Sequence, residues 1–317
     1  MPLADPGTVR PLLVCPRCRC ALVAEPTAFR CAAPHCALHQ VGSFPVIGGS
    51  PVLVDFERSV LPRPTAGRPG TGPPRPALER LPPRLRGLWR PVNRVAVRNT
   101  GRLLRALPGP APTVLVVGGA TVGNGTAALY SDPRIRLIGF DIAPSPWTQF
   151  VADAHQIPLA DRSVDAVVVQ AVLEHVLDPA LVVAEIHRVL TAGGLVYAET
   201  PFLQQVHAGP YDFTRFTLSG HRYLFRRFAE LDAGAVAGPG TQLLWSLDHL
   251  ARGLTRSATA GRLARGLLGW LRLLDAAVPP RYAEDSACAC YFLGRKRADG
   301  MSPAQIVEYY RGAQPPG

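Results

Sequence analysis

The stretch that decides the fold is Val114-Leu-Val-Val-Gly-Gly-Ala-Thr-Val-Gly-Asn-Gly125, an apolar run that leads directly into a glycine-rich loop. The apolar run predicts a buried strand, and the glycines allow positive φ and close approach to a ligand. Further strands are predicted over 135–140 and 165–170, each followed by a helical pattern. Strands that alternate with helices predict a doubly wound parallel α/β sheet.

An acidic residue at the end of the second strand indicates what this loop would bind. A carboxylate there, Asp141 in this chain, can accept hydrogen bonds from both ribose hydroxyls of a nucleoside cofactor. The loop alone does not select the cofactor, because Gly118-x-Ala120-x-x-Gly123 followed by Asp141 also fits a relaxed dinucleotide fingerprint. These residues predict a Rossmann-like nucleoside-binding domain and leave a dehydrogenase open.

Four stretches downstream of the loop distinguish these possibilities: Asp153-Ala-His-Gln-Ile-Pro-Leu-Ala-Asp-Arg-Ser-Val-Asp165, Ala171-Val-Leu-Glu-His-Val-Leu-Asp-Pro179, Glu185-Ile-His-Arg-Val-Leu190 and Ala192-Gly-Gly-Leu-Val196. The residues of these stretches and their order along the chain resemble those of the class I S-adenosylmethionine-dependent methyltransferases, in particular the methyltransferase type 11-like domain. The chain departs from the family at Val116, a position that is usually acidic there. The resemblance implies that the cofactor is S-adenosyl-L-methionine.

The resemblance also implies which residues would contact this cofactor. The loop beneath the methionine part would be formed by Gly118, Gly119, Gly123 and Gly125. Asp141 would bind the ribose, and Ile142 would pack on the adenine. Asp153 would accept from the adenine amino group, with the backbone of Ala154 beside it. Gln170 would lie near the sulfonium. Judged by position alone, Asp141 could be a strand-end turn residue and Gln170 an ordinary polar end of a strand.

Two pairs of cysteines near the start of the chain form a metal-ligand pattern. Cys15-Pro-Arg-Cys18 and Cys31-Ala-Ala-Pro-His-Cys36 are short-spaced pairs, and four such thiolates can converge tetrahedrally on Zn²⁺. His35 could replace Cys36, and unligated thiols are the alternative. The stretch 43–53 resembles the end of a Trm112-like zinc ribbon. We predict a structural zinc ribbon over residues 1–55 with the ligands Cys15, Cys18, Cys31 and Cys36.

The net charge of +11 is concentrated in the N-terminal third of the chain. Residues 1–110 contain 16 arginines and 5 acidic residues, whereas residues 111–317 contain 18 basic and 18 acidic residues. The Pro-, Gly- and Arg-rich segment 56–87 predicts a linker. It precedes a predicted methyltransferase domain over 88–297 and a tail over 298–317.

A helix predicted over 88–107 carries arginines four residues apart. Its apolar face is formed by Leu88, Val92, Val95, Asn99, Leu103 and Leu107, and the arginines are Arg90, Arg94, Arg98 and Arg102. Such a stripe could face the phosphates of RNA or an anionic lipid head group. With 33 arginines and one lysine in the chain, we favour a compositional bias and a solvated face.

The loop after the fifth predicted strand, residues 201–216, is expected to meet the substrate, because ligands bind beyond the carboxyl ends of the strands in such sheets. His207 could accept a proton from a hydroxyl nucleophile, Asp212 could orient or replace it, and Arg215 could bind an anionic substrate. Alternatively, Asp212 and Arg215 form a salt bridge that braces the loop. The predicted substrate pocket contains His175, Tyr211 and Arg215.

The C-terminal part is predicted to add helices and one strand. Residues 240–282 are expected to be helical, and residues 290–294 to form the last, antiparallel edge strand. Core packing is favoured over a membrane or dimer contact for Leu263, Leu267, Leu268, Trp270, Leu271 and Leu274. Cys288 and Cys290 are expected to be structural.

These patterns together favour a methyltransferase that acts on a small molecule. An RNA base methyltransferase is the first alternative, and a non-catalytic zinc-ribbon module that binds the cofactor is the second. The chain starts without an apolar leader and has no stretch approaching the roughly twenty apolar residues of a spanning helix. With seven cysteines, this predicts a cytoplasmic protein in a reducing compartment.

Overall fold

The computed structural model describes residues 3–63 and 92–315. Two compact units are distinguished by their contacts, and neither is a continuous piece of chain. The first unit comprises residues 1–170 and 178–197, and the second comprises residues 171–177 and 198–317.

The N-terminal module in the first unit is a small antiparallel sheet. Its strands are adjacent in chain order: β1 (Leu22–Ala24), β2 (Ala28–Cys31), β3 (Phe44–Ile47) and β4 (Ser50–Pro51). Helix α1 (Pro6–Val9) precedes the sheet, and α2 (Ala37–Val41) connects β2 to β3. This hairpin-rich module brings both cysteine pairs onto one small scaffold.

The central sheet has seven strands. They are β5 (Thr113–Val117), β6 (Arg136–Asp141), β7 (Phe150–Val151), β8 (Val164–Gln170), β9 (Leu190–Pro201), β10 (Phe228–Val236) and β11 (Ala289–Lys296), in the spatial order β10-β11-β9-β8-β5-β6-β7. β5 is parallel to β6 and to β8, and β6 is parallel to β7. All five residues of β5 are buried, as its unbroken apolar run predicts. The predicted doubly wound α/β sheet is confirmed.

The position of the last strand differs from the prediction. β11 is antiparallel to β10, as expected, but it lies between β10 and β9 and is not an edge strand. Five consecutive residues of β11 are buried, so side chains on both of its faces are covered. Such burial is characteristic of an inner strand, and β10 forms the edge instead.

The longer connections of the fold are helical. The helices are α3 (Arg94–Ala106), α4 (Pro179–Val189), α5 (Leu218–Leu224), α6 (Pro239–Thr255), α7 (Ala258–Leu267), α8 (Pro280–Ser286) and α9 (Pro303–Glu308). Single 3₁₀ turns include Ala154–Gln156, Leu173–His175 and Gly209–Tyr211. Among the described helices, none is both long enough and apolar enough to cross a membrane.

Helix α3 is shorter than the predicted helix over 88–107. It begins after Asn93, whose side chain accepts a hydrogen bond from the amide of Ala96 at 3.0 Å and caps the helix. Asn99 and Leu103 are buried as predicted, whereas Val92 precedes the helix and is 61% exposed. The predicted start of the helix, with Arg90 of the arginine stripe, lies outside the described residues.

Backbone bonds join the N-terminal module to the central strands within the first unit. The amide of Val14 donates to the carbonyl of Pro158 (3.0 Å), and that of Leu53 donates to the carbonyl of Val151 in β7 (2.8 Å). Ser59, from the start of the predicted linker, donates to Asp153, and Leu61 packs with Val151. Ser59 and Leu61 therefore contact the part of the chain at and just after β7, and most of the predicted linker, 64–87, lies outside the described residues.

The expectation that the apolar set of residues 263–274 packs on the core was wrong. Leu263, Leu267 and Trp270 are 63%, 78% and 56% exposed, and only Leu271 of this set is buried. The reason is that α6 and α7 meet through Gly261 and Asp248: a Cβ at Gly261 would lie 2.1 Å from the Asp248 carboxylate. Leu263 and Leu267 lie outside this contact and stay exposed.

A buried histidine in the second unit predicts how stability depends on pH. His221 is 1% exposed, and its Nε2 lies 3.1 Å from the hydroxyl of Thr200. Burial lowers its pKa to about 3. Because the unfolded chain binds a proton below its pKa of about 6.5 and the folded chain does not, stability falls as pH falls from 6.5 towards 3, by at most about 1.4 kcal/mol per pH unit.

We therefore expect His221→Gln, which can still hydrogen-bond to Thr200, to flatten this acid loss of stability. Urea unfolding of both proteins at several pH values between about 4 and 7 measures the slope. An unchanged slope in the variant would show that other groups cause the loss.

Candidate active site and metal centre

The four predicted zinc ligands converge in the N-terminal module. Their sulfur atoms all lie within 4.8 Å of one another, with 3.9 Å between Cys15 and Cys36 and 3.4 Å between Cys18 and Cys31. Four sulfurs at Zn–S bonds of about 2.3 Å in a tetrahedron are about 3.8 Å apart, so the donor set fits Zn²⁺. His35 is exposed and outside this group, which favours Cys36 over His35 as the fourth ligand.

The glycine-rich loop after β5 is built around close backbone contacts. Gly118 and Gly125 have φ of 75° and 89°, in the left-handed region that favours glycine. At Gly123 a Cβ would lie 2.1 Å from Oε1 of Gln170, whose amide nitrogen donates to the carbonyl of Asn124 at 3.1 Å. Gln170, predicted to lie near the sulfonium, thus holds the end of the loop against the end of β8.

Asp141 is placed to serve as the predicted ribose ligand. One carboxylate oxygen accepts from the amide of Ala120 in the glycine-rich loop at 3.0 Å, and the other accepts from Ala143 at 3.4 Å. Burial raises the pKa of Asp141, and the backbone amides oppose this change. Each oxygen retains a lone pair that can accept a ribose hydroxyl. The glycine loop and Asp141 therefore fit a nucleoside cofactor.

The residues predicted to contact adenine are less uniform. Ile142 is 49% exposed, and Ala154 is buried. Asp153 is 5% exposed and already binds protein groups, since it accepts from Ser59 and from the amide of His155 and lies 2.6 Å from Nδ1 of His155. Burial raises the pKa of Asp153, but the bonds from His155 and Ser59 outweigh burial and lower it. The adenine roles stay predictions.

A second group of metal-ligand type lies in the second unit and consists of Glu174, His175 and His207, here named the Glu174 cluster. Nε2 of each histidine lies 3.6 Å from Oε1 of Glu174. Glu174 is fully buried, and burial raises its pKa to about 7. Burial also lowers the pKa of His175. The group therefore combines a buried carboxylate with two imidazoles that reach solvent.

The predicted salt bridge between Asp212 and Arg215 is present. Both Asp212 oxygens accept from Arg215, one of them at 2.9 Å, and the backbone amide of His207 also donates to Asp212, at 2.9 Å. The guanidinium holds the pKa of Asp212 well below its usual range. Arg215 also donates to the carbonyls of Gln204 and Gln205. The pair therefore braces the loop that carries His207.

Sequence reasoning missed Glu174, although it named His175 beside it. The signal was a carboxylate between Leu173 and Val176 in a short stretch after β8, which places an acidic side chain in an apolar setting. The predicted pocket residue Tyr211 is 44% exposed and contributes its carbonyl, which lies 2.7 Å from Nδ1 of His175.

Comparison with known families bears on residues 117–198, which match the family model described as a methyltransferase domain. This segment runs from the end of β5 through the glycine loop, Asp141 and the Glu174 stretch into β9. By this match the segment is a methyltransferase domain. The cluster of four cysteines precedes this methyltransferase domain in the chain.

One curated relative is similar to part of the chain. It is an uncharacterized 37.1 kDa protein in a transposon of Streptomyces fradiae, 34% identical over 111 residues, which are 31% of this chain and 32% of the relative. The chain thus matches about a third of the length of that relative.

Solved structures match part of the chain at low similarity. A protein described as a sarcosine dimethylglycine methyltransferase from Galdieria sulphuraria is 16% identical, with 64% of this chain and 86% of that chain covered and a TM-score of 0.44. A methyltransferase solved with the Trm112 activator of Haloferax volcanii is 19% identical, with 65% of this chain and 92% of that chain covered and a TM-score of 0.41. At these low similarities neither structure bears on the acceptor of the methyltransferase domain.

Proposed function

We propose that the protein transfers the methyl group of S-adenosylmethionine to a small-molecule acceptor. The observation that carries this proposal is the Glu174 cluster, a buried carboxylate with two imidazoles in the stretch after β8 and in the loop after β9. In open α/β sheets, ligands bind beyond the carboxyl ends of the strands. A group that removes a proton belongs in that region when the acceptor is a hydroxyl or protonated amine.

The methyl transfer itself would be an in-line displacement. The acceptor lone pair forms a bond to the methyl carbon, the carbon–sulfur bond breaks, and its electron pair stays on sulfur as S-adenosylhomocysteine forms. The acceptor proton would pass to Nε2 of His207. Glu174 would stabilise the resulting imidazolium, and the Asp212–Arg215 pair would position the loop. Both Asp212 oxygens are occupied by Arg215, so Asp212 is proposed as a positioning residue.

The charges of the N-terminal module support a small acceptor over RNA. Arg17 forms ion pairs with Asp55 and Glu57, and Arg30 pairs with Glu25. Arg19 is bound to Glu185 at 2.8 Å. Arginines neutralised by carboxylates attract phosphates weakly, so the excess of arginine in the sequence overstates the positive surface of the module.

The proposal predicts different effects for two substitutions. His207→Ala should keep the affinity for S-adenosylmethionine and lower turnover by about 10²- to 10⁴-fold, the usual contribution of a proton acceptor. Asp141→Asn should instead weaken cofactor binding by about ten- to a hundredfold, because it removes charge-assisted hydrogen bonds. Calorimetric titration with the cofactor separates these effects. Full turnover by His207→Ala would remove His207 from the chemistry.

The acceptor class can be found with methyl-labelled S-adenosylmethionine. The purified protein is incubated with this cofactor and an extract of its own host, and RNA, protein and organic-extractable fractions are then separated. Label in the organic fraction is expected. Label in RNA that nuclease removes would overturn the small-molecule proposal, and tight binding of the product without any transfer would indicate a non-catalytic module.

A further inference from the structure

We infer that the Glu174 cluster is a second metal site, which binds a first-row divalent cation such as Zn²⁺ through Glu174, His175 and His207. This site is separate from the four cysteines and has a different donor set, two imidazole nitrogens and one carboxylate. The site stands independently of the proposed methyl transfer, and only the chemistry it would supply rests on that proposal.

The first observation is that Glu174 is a buried carboxylate without hydrogen-bond partners. Its side chain is 0% exposed, and neither of its oxygens has a hydrogen-bond partner within residues 3–63 and 92–315. Leaving a buried polar group without hydrogen-bond partners is costly. The neighbouring cation, Arg215, does not fill this place, because both of its terminal nitrogens donate to Asp212. A cation bound to Glu174 would supply the missing partner.

The second observation is the orientation of the two histidines. Nδ1 of His175 lies 2.7 Å from the carbonyl of Tyr211, and Nδ1 of His207 lies 3.3 Å from the carbonyl of Gln205 and 3.5 Å from the Asp212 carboxylate. Since these partners only accept, Nδ1 is the donor in each ring, and this tautomer leaves Nε2 as the nitrogen that can bind a cation. Both Nε2 atoms face Glu174. Acceptors bound to the ring nitrogen that does not contact the metal orient metal-binding histidines in this way.

The third observation is the spacing of the three donor atoms. The separation of 3.6 Å between each Nε2 and Oε1 is too long for a hydrogen bond. Ligands at about 2.0–2.1 Å from a tetrahedral Zn²⁺ are about 3.4 Å apart, which is close to both of these separations, and all three donor atoms lie within 4.8 Å of one another. Three lone pairs that converge without a shared proton are the arrangement that a cation stabilises.

The exposure of the ligands indicates where an acceptor would bind. Glu174 is buried, whereas the side chains of His175 and His207 are 26% and 33% exposed. A cation held by three protein ligands from the buried side keeps an open position, as catalytic sites do. An acceptor hydroxyl bound there would lose its proton more readily, to solvent, before its oxygen attacks the methyl carbon. In the metal-bound protein Nε2 of His207 binds the cation in place of accepting the proton, and the acceptor is a hydroxyl compound.

Cobalt titration of the full-length, metal-depleted protein tests the site. We expect two equivalents of Co²⁺ to bind, the first with the intense thiolate charge-transfer absorption of the cysteines and the second with only weak visible bands. Glu174→Gln and His207→Gln should each weaken binding of the second equivalent at least about a hundredfold and leave the first unchanged. His249→Gln, which changes a histidine outside the cluster, should bind both.

Two results would overturn the inference: a wild-type protein that binds one equivalent only, or a second equivalent that persists in Glu174→Gln and His207→Gln. The first equivalent reports in each variant whether the N-terminal module is intact, and circular dichroism reports the fold of the remainder. Because the titration uses Co²⁺ without cofactor or acceptor, its outcome is separate from that of the methyl-transfer assay. Loss of turnover in Glu174→Gln or His207→Gln is therefore not evidence for the metal site, which is judged by the Co²⁺ titration.

Discussion

Replacing Cys15 by serine is expected to release one equivalent of zinc and to unfold the N-terminal module. The sulfur of Cys15 is fully buried and lies 3.9 Å from that of Cys36. Structural zinc sites contribute about 10–16 kcal/mol of apparent binding free energy, which acts as folding free energy. A module with strands of two to four residues has little else to replace it, so we expect a large effect.

The matched control is Cys20→Ser. Cys20 lies two residues from Cys18 but outside the group of four, so this variant should keep its zinc and its Tm. Metal analysis and limited proteolysis of residues 3–63 measure the difference between the two variants. Equal zinc content in both would mean that the cysteines do not bind the metal together.

Removing the positive charge of Arg215 should have the second large effect. In Arg215→Leu the buried Asp212 carboxylate loses its positively charged partner and keeps only the backbone amide of His207, and the carbonyls of Gln204 and Gln205 lose the bonds from Arg215. Breaking a buried pair from one side costs about 3–5 kcal/mol. Because Arg215 is 23% exposed, we expect the free energy of unfolding to fall by about 3 kcal/mol, as measured by urea denaturation.

A double variant separates the ion pair from the packing of Arg215. Asp212→Asn in the Arg215→Leu background removes the unpaired charge and should recover part of the lost stability. A double-mutant cycle gives the coupling energy of the pair. If Arg215→Leu unfolds at the wild-type urea concentration, the pair is a surface ion pair of little consequence.

The sheet and the cysteine cluster were predictable because local patterns specify them. A strand buried on both faces needs an unbroken apolar run, and Val114–Val117 supplies one. The ligand spacing of Cys15 and Cys18 is likewise a property of a few consecutive residues. Asp141 follows from its place at the end of β6. Each of these features needs no knowledge of distant contacts.

The Glu174 cluster could not be predicted because it depends on tertiary contacts. Glu174 and His207 are far apart in the chain, and contacts such as the backbone bond from Phe213 to the carbonyl of Glu174, at 2.8 Å, bring their segments together. The exposure of Leu263 and Leu267 has a similar cause, since the contact between α6 and α7 passes through Gly261 and Asp248. Periodicity identifies an apolar face but not its neighbour.

The bond between Leu53 and Val151 has a further consequence for the sheet. β7 is a strand of two residues at the end of the strand order, and such an edge offers unpaired backbone groups to any passing chain. The amide of Leu53 and the bridge between Val52 and Val151 occupy this edge. The N-terminal module thus covers this edge of the sheet and prevents it from pairing with another chain. Loss of zinc would expose the edge and allow strands of different molecules to pair.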